Sequence, residues 1–270
     1  MSEPSAPNWT VDSVATELLA AADAPRARSA ISAEWPGLDV TTGYAAQDAA
    51  LARRLARGER LTGVKLGVTS RAKQRQVGVD RPSTAWLTDA MALPAGASVP
   101  RSRLVQPRAE PEIAFVLGER LAGPGVTAAR ALGAVAHVVG AIEIIDSRFS
   151  GYRFSVADAV ADNNSSGFFV TGPVVRRPED LDLALEACLL EVDGEVVDSA
   201  TGAAVHGHPA EALAFAANTL AERGRTLEPG WVVLTGGMTD AVPIRPGARI
   251  AAHFTHLGSI TLDGGDRADH

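Results

Sequence analysis

RAEPEIAFVLG, residues 108–118, places Glu110 and Glu112 two apart at the entrance to an apolar run. Residues 112–117 have the β-branched and aromatic content of a strand, whose period of two turns both carboxylates to one face. Alone, the pair also fits an amphipathic strand with its acids in water. A second stretch, VVGAIEII (138–145), reads as a strand in which Glu143 stands among almost wholly apolar neighbours. Burying an ionised carboxylate costs several kcal/mol unless it is paired or metal-bound. Arg148 is one available partner; a cation shared with Glu110 and Glu112 is the other.

Further strands are expected at 167–171, 187–192, 231–235 and 250–262, with 187–192 turning at Asp193-Gly194 into a hairpin of type I′. Helices are expected at 127–136 and 209–223, the second with Pro209 at its first position and His208 at its cap. Upstream, Thr10 or Asp12 caps a helix carrying Val14, Leu18 and Leu19, and Thr41 or Thr42 starts another that Gly58 ends. A strand at 61–68, a short basic helix from Ser70 and a strand at 85–88 follow, then a Pro/Gly-bearing linker at 93–103. The outline is α+β, a small N-terminal part before a larger sheet built from antiparallel or mixed strands.

Composition narrows the function. The 270 residues carry a net charge of -7 without a basic run, which excludes nucleic acid as the main partner. The arginines between 53 and 75 fall at helical spacing among acids and small residues, as on a solvated helix face. Cys188 is the single cysteine and sits in an apolar stretch, a buried thiol in a cytoplasmic protein. MSEPSAPNWT has no signal-peptide pattern, and no apolar run reaches the ~20 residues of a membrane span.

Three carboxylates without a histidine or cysteine cluster form a hard-oxygen site suited to Mg²⁺, Mn²⁺ or Ca²⁺, leaving about three positions for water or a chelating substrate. Lys65, in GVKLGVTS (63–70), is a surface-reaching side chain, a clamp for a substrate carboxylate or a Schiff-base former. Thr69 and Ser70 add hydroxyls beside it. The polar run Asp162 to Ser166, including Ser165 and Ser166, offers donors for an oxygen-rich ligand, and the glycines of TGG (235–237), Gly236 among them, can bring amides to a substrate. His206 and His208 read as structural. A dinucleotide fingerprint, a phosphate loop and a G-x-S-x-G elbow are absent.

GVKLGVTS, RAEPEIAFVLG, AIEIIDSR, VADNNSSGFF, GHP, LTGG and LGSITL occur together and in this order. The ordered set resembles the fumarylacetoacetate hydrolase superfamily, in its 2-keto-4-pentenoate hydratase/4-oxalocrotonate decarboxylase branch. The resemblance implies a small N-terminal α/β domain (1–95), a C-terminal mixed β-sheet roll (96–270), and Mg²⁺ or Mn²⁺ on Glu110, Glu112 and Glu143. It places Lys65 beside a small unsaturated 2-oxo acid. It also implies association, with further copies of the chain or with a hydratase or decarboxylase of the same pathway; a non-catalytic partner subunit is the reading from another class. Hydratases of the branch carry an Asp in a P-D-F-G segment, where this chain has Pro82-Ser83-Thr84-Ala85. That absence and the segments SRAK (70–73) and LTGGMTDAVP (234–243) favour a decarboxylase, with Trp86 as an apolar wall near the leaving carboxylate.

Overall fold

The computed structural model describes residues 8–70, 74–75 and 81–265. Three helices open the chain: α1 (Val11–Asp23), α2 (Ile31–Glu34) and α3 (Val40–Ala56). Thr10 caps α1 in a reciprocal box with Ser13, whose amide donates to Thr10 Oγ1 at 3.2 Å. Asp39, rather than Thr41 or Thr42, caps α3 by accepting from the Thr42 amide at 2.7 Å. A carboxylate one residue before the helix reaches its free amides, and the two threonines fall inside the first turn. Four residues are too few for a periodic pattern, so α2 has no counterpart among the expected elements.

Among the described residues eleven strands follow: β1 (Leu61–Gly67), β2 (Ser83–Thr88), β3 (Arg108–Leu117), β4 (Val135–Ile145), β5 (Ser166–Arg176), β6 (Ala187–Val192), β7 (Glu195–Thr201), β8 (Val232–Leu234), β9 (Val242–Pro243), β10 (Arg249–Phe254) and β11 (Gly258–Asp263). Between them stand α4 (Ala128–Gly133), α5 (Val156–Ala161) and α6 (Pro209–Glu222), and residues 74–75 between β1 and β2 are also helical. The short basic helix expected from Ser70 falls largely outside the described residues. The expected helix 127–136 is shorter, because β4 begins at Val135 and pairs with β3. The run expected as one strand over 250–262 is a hairpin, β10 and β11, turning through Thr255–Leu257 into Gly258 at φ 76°. Its turn lacks Pro, Asn and Asp, so only that glycine marks the reversal. Asp193 and Gly194 both have positive φ between β6 and β7, as a type I′ turn requires.

One sheet is mixed, ordered β2-β1-β8-β3-β4-β5 with β9 beside β3; β1 and β8 run parallel and the other pairs antiparallel. The other, β11-β10-β6-β7, is antiparallel. β1 and β2, which precede residue 95, are hydrogen-bonded into the sheet that β3 to β5 complete, and the 93–103 segment is pinned through Leu93 to Phe169 and through Val99 to Asp263 (2.9 Å each). The main core includes Ile113, Phe115, Ile142, Leu190, Ile250, Phe254 and Ile260 from both sheets. Gly140 on β4 makes room there: a Cβ on it would lie 2.7 Å from the Phe254 ring. α1, α2, α3 and α5 form a separate cap around Val14, Leu18, Ile31 and Phe149. Cys188 belongs to the main core, where burial pushes its thiol up to about 12. Among the described residues no helix is long and apolar enough to cross a membrane.

Candidate metal centre

The β3–β4 register sets Glu110 directly opposite Glu143, with Glu112 two residues along the same face. Like charges opposed across a ladder repel. Here one oxygen from each glutamate lies within 4.8 Å of the others, and Glu112 and Glu143 are fully buried. Arg148 does not relieve them. Its Nε donates to Asp162 Oδ1 at 2.5 Å, and its terminal nitrogens donate to the carbonyls of Asp146, Asp162 and Ser166. Lys65 reaches Glu143 instead, with Nζ 3.1 Å from Oε1 and 3.3 Å from Oε2. At 3% exposure it does not extend to the surface.

The loop after β8 supports the other two glutamates. The Gly236 amide donates to Glu112 Oε2 at 2.7 Å, and a Cβ on Gly237 would lie 2.7 Å from Glu110 Oε2. Gly236 has φ 111°, and a Cβ there would stand 2.1 Å from Thr69 Oγ1. Both glycines are therefore required by close approach and, at Gly236, by backbone conformation. The Gly236 amide, expected to reach substrate, is spent on Glu112.

Among the described residues Glu112 Oε1 is buried with no hydrogen-bond donor, and Glu143 Oε1 lies 3.1 Å from Lys65 Nζ without an aligned hydrogen bond. Burial, then the charges of Glu143 and Glu110, push Glu112 well above the usual carboxylate range. Burial likewise raises Glu143, against the pull of Lys65. Three converging carboxylates, the Lys65 ammonium beside Glu143 and the buried Glu112 Oε1 fit a hard divalent cation such as Mg²⁺ or Mn²⁺.

A cleft of about 500 Å³ opens onto this centre, lined by Lys65, Thr69, Glu110, Asn164 and Ser165 and also by Arg108, Ile145, Tyr152 and Phe154. Asn163, Asn164 and Ser165 all have left-handed φ, between 49° and 59°, a strained run for side-chain-bearing residues. It presents Asn164, whose buried Nδ2 has no acceptor among the described residues. Ser70 is half-buried beside Thr69 but does not line the cleft. Ser166, whose buried hydroxyl has no partner among the described residues, lines a smaller polar cavity of about 150 Å³ beside Arg54 and Arg148 instead. Trp86, expected as a substrate wall, is on the wrong face: it pairs with Val64, while Ala85 pairs with Lys65. Its indole donates to Asp48 at 2.9 Å beneath the Arg223 guanidinium. Asp162 and Asn163 are likewise structural, holding Arg148 and the Trp86 backbone. Ser83 donates to Asn164 Oδ1 at 3.1 Å.

A slightly larger cavity, about 590 Å³, lies beside Tyr44, Arg81, Ser83 and Arg223, but none of the three glutamates lines it. Arg108, Tyr152 and Phe154 were not singled out in the sequence. Arg108 obeys the same period of two as Glu110 and Glu112, which is the signal that could have found it; the two rings follow from no pattern.

A family model described as fumarylacetoacetate (FAA) hydrolase, C-terminal, matches residues 63–263, beginning within β1. A 4-oxalocrotonate decarboxylase of Pseudomonas sp. (strain CF600) is 39% identical over 231 residues, 86% of this chain and 88% of its own. A 2-keto-4-pentenoate hydratase of Burkholderia vietnamiensis is 39% identical over 253 residues, 93% of this chain and 96% of its own. The solved 4-oxalocrotonate decarboxylase from Pseudomonas putida G7, complexed with magnesium and adipate, superposes with a TM-score of 0.92 at 36% identity, covering 94% of this chain and 96% of that one.

Proposed function

Because this chain belongs to the fumarylacetoacetate hydrolase family, we propose that it is a divalent-metal-dependent lyase that decarboxylates an unsaturated 2-oxo dicarboxylic acid of the 2-oxo-3-hexenedioate type. The observation that carries this reading is the buried triad Glu110, Glu112 and Glu143 with Lys65 3.1 Å from Glu143 at one cleft. Relatives named as decarboxylases and as hydratases both align along most of the chain.

Glu110, Glu112 and Glu143 would hold the ion, Mg²⁺ or Mn²⁺, and when bound it supplies Lewis acidity to the oxygens of a 2-oxo acid. In the reaction the C5–C6 bond breaks and CO₂ leaves. The electron pair moves through the conjugated double bond to the C2 oxygen, which takes one proton and yields a 2-hydroxydienoate. Lys65 Nζ holds that proton, and its positive charge opposes the negative charge developing on the oxygen. Thr69, Ser165 and the free Asn164 Nδ2 supply hydrogen bonds to the substrate. Ala114, Val139, Ala141, Leu234 and Phe169 form an apolar cluster on the same face of the sheet, beyond Glu112 along β3.

Ser83 favours decarboxylation over hydration. It stands where hydratases of the branch carry an aspartate, and its hydroxyl is engaged as a donor to Asn164. A hydroxyl without a neighbouring base is a poor general base for adding water. The retention of a complete carboxylate triad and lysine also weighs against a non-catalytic subunit, although association with a hydratase of the same pathway, or with further copies of the chain, accords with the family. The purified chain with Mg²⁺ should convert 2-oxo-3-hexenedioate to a product lighter by CO₂ and leave 2-hydroxypenta-2,4-dienoate largely unhydrated. Efficient hydration of the dienoate, with the dicarboxylate untouched, would replace this reading with the hydratase.

A further inference from the structure

We infer that Arg108 is the residue that selects dicarboxylic over monocarboxylic 2-oxo acids, by receiving the carboxylate at the far end of the substrate. This rests on the functional reading above and extends it to specificity. Arg108 is on the face of β3 that carries Glu110 and Glu112, because all three obey the strand's period of two, and it pairs with Ile145 across the ladder. A rise of about 3.4 Å per residue sets its Cα roughly 7 Å from that of Glu110, a separation that an extended hexenedioate chain can bridge. The centre is buried at Glu112 and Glu143, whereas Arg108, which lines the same cleft, is half-buried.

The guanidinium is held in place and left chemically available. It lies over the Tyr152 ring at 4.3 Å, and the Tyr152 hydroxyl is directed at the carbonyls of Gln106 and Ile145, 3.1 Å from each. Tyr152 takes a left-handed φ of 58°, an unfavourable conformation for an aromatic residue that serves to present the ring. Among the described residues no carboxylate forms an ion pair with Arg108; Asp240, which also lines the cleft, is not within ion-pair distance. A guanidinium stacked through one face keeps its edge for two parallel hydrogen bonds to a carboxylate. The Tyr152 and Phe154 rings and Ile145 line the same cleft, beside the stretch that the carbon chain would cross.

The role carries a kinetic signature. The far carboxylate is the one that leaves as CO₂, so its ion pair with Arg108 is made in the ground state and weakens as the bond breaks. Interactions of that kind lower KM without raising kcat. The test compares two saturated ligands that differ only in the far carboxylate, 2-oxoadipate and 2-oxohexanoate, by calorimetric titration of the Mg²⁺-loaded protein. Arg108→Met should weaken 2-oxoadipate at least about tenfold, leave 2-oxohexanoate nearly unchanged, and raise KM for 2-oxo-3-hexenedioate without lowering kcat. Arg108→Lys should recover part of the affinity, which a packing defect would not explain. Equal weakening of both ligands, no weakening of either, or a fall in kcat at constant KM would overturn the assignment. Failure of the wild-type protein to bind either ligand would instead overturn the functional reading, and this one with it.

Discussion

Glu112 is held at one oxygen by the Gly236 amide and, among the described residues, left without a donor at the other, in a pocket that two further carboxylates share. Replacing it with glutamine removes one of three mutually repelling charges and also the charge a cation needs. Glu112→Gln should therefore lose most Mg²⁺-dependent turnover, on the order of 100-fold or more, while melting no lower than wild type in chelator. A large fall in melting temperature in chelator would contradict this account. Arg148 has the opposite character: its guanidinium is fully engaged and compensates Asp162, whose carboxyl burial pushes up to about 6. Asp162 is thus raised above its unfolded value, so the folded state gains from its protonation at low pH and that gain is lost as pH rises through about 6. Without the arginine the uncompensated charge is costlier still. Arg148→Met should cost roughly 3–5 kcal/mol near pH 8 and visibly less near pH 5, read from denaturant unfolding at both. A loss independent of pH would show that packing rather than charge is at issue.

At the scale of elements, the pairing of β1 with β8 decides where Lys65 points. Gly63 is the contact: a Cβ there would lie 1.9 Å from the Val232 carbonyl oxygen. Gly63→Ala must push the two strands apart, and should cost about 1–3 kcal/mol and lower turnover together, whereas Gly58→Ala meets no neighbour and is strained only by its positive φ. Normal kinetics with an intact melting temperature for Gly63→Ala would exclude this pairing. What was readable in the sequence follows the same logic. Glu110, Glu112 and Glu143 were legible because strand alternation and the cost of a buried carboxylate act along a single segment. Trp86 and Gly236 were misplaced because their direction depends on the strand or loop that lies beside them, Val64 for one and Glu112 for the other. The hairpin of β10 and β11 was hidden because its turn residues carry no conventional signal. The mixed sheet was legible in outline, but its order was not, since β8 inserts between β1 and β3 from far along the chain.

For the whole molecule, the centre joins β1 to the β3–β4 pair through Lys65 and Glu143, so a cation bound to the folded state stabilises several strands at once. At a hundred times its dissociation constant, Mg²⁺ should add about 2.7 kcal/mol, which for a chain of this size raises the melting temperature by roughly 5–10 °C. Calorimetry with and without Mg²⁺ checks it, and Glu112→Gln should abolish the shift; an equal shift in that variant would place the ion elsewhere. The parallel pairing of β1 with β8 has a consequence in time as well as in space. β1 must wait for a partner that follows β2 to β7 in the chain, and closing so long a loop is entropically expensive and slow. Secondary structure and the local β6–β7 hairpin should therefore appear early in refolding, and the capacity to bind Mg²⁺ should emerge only with the slowest phase.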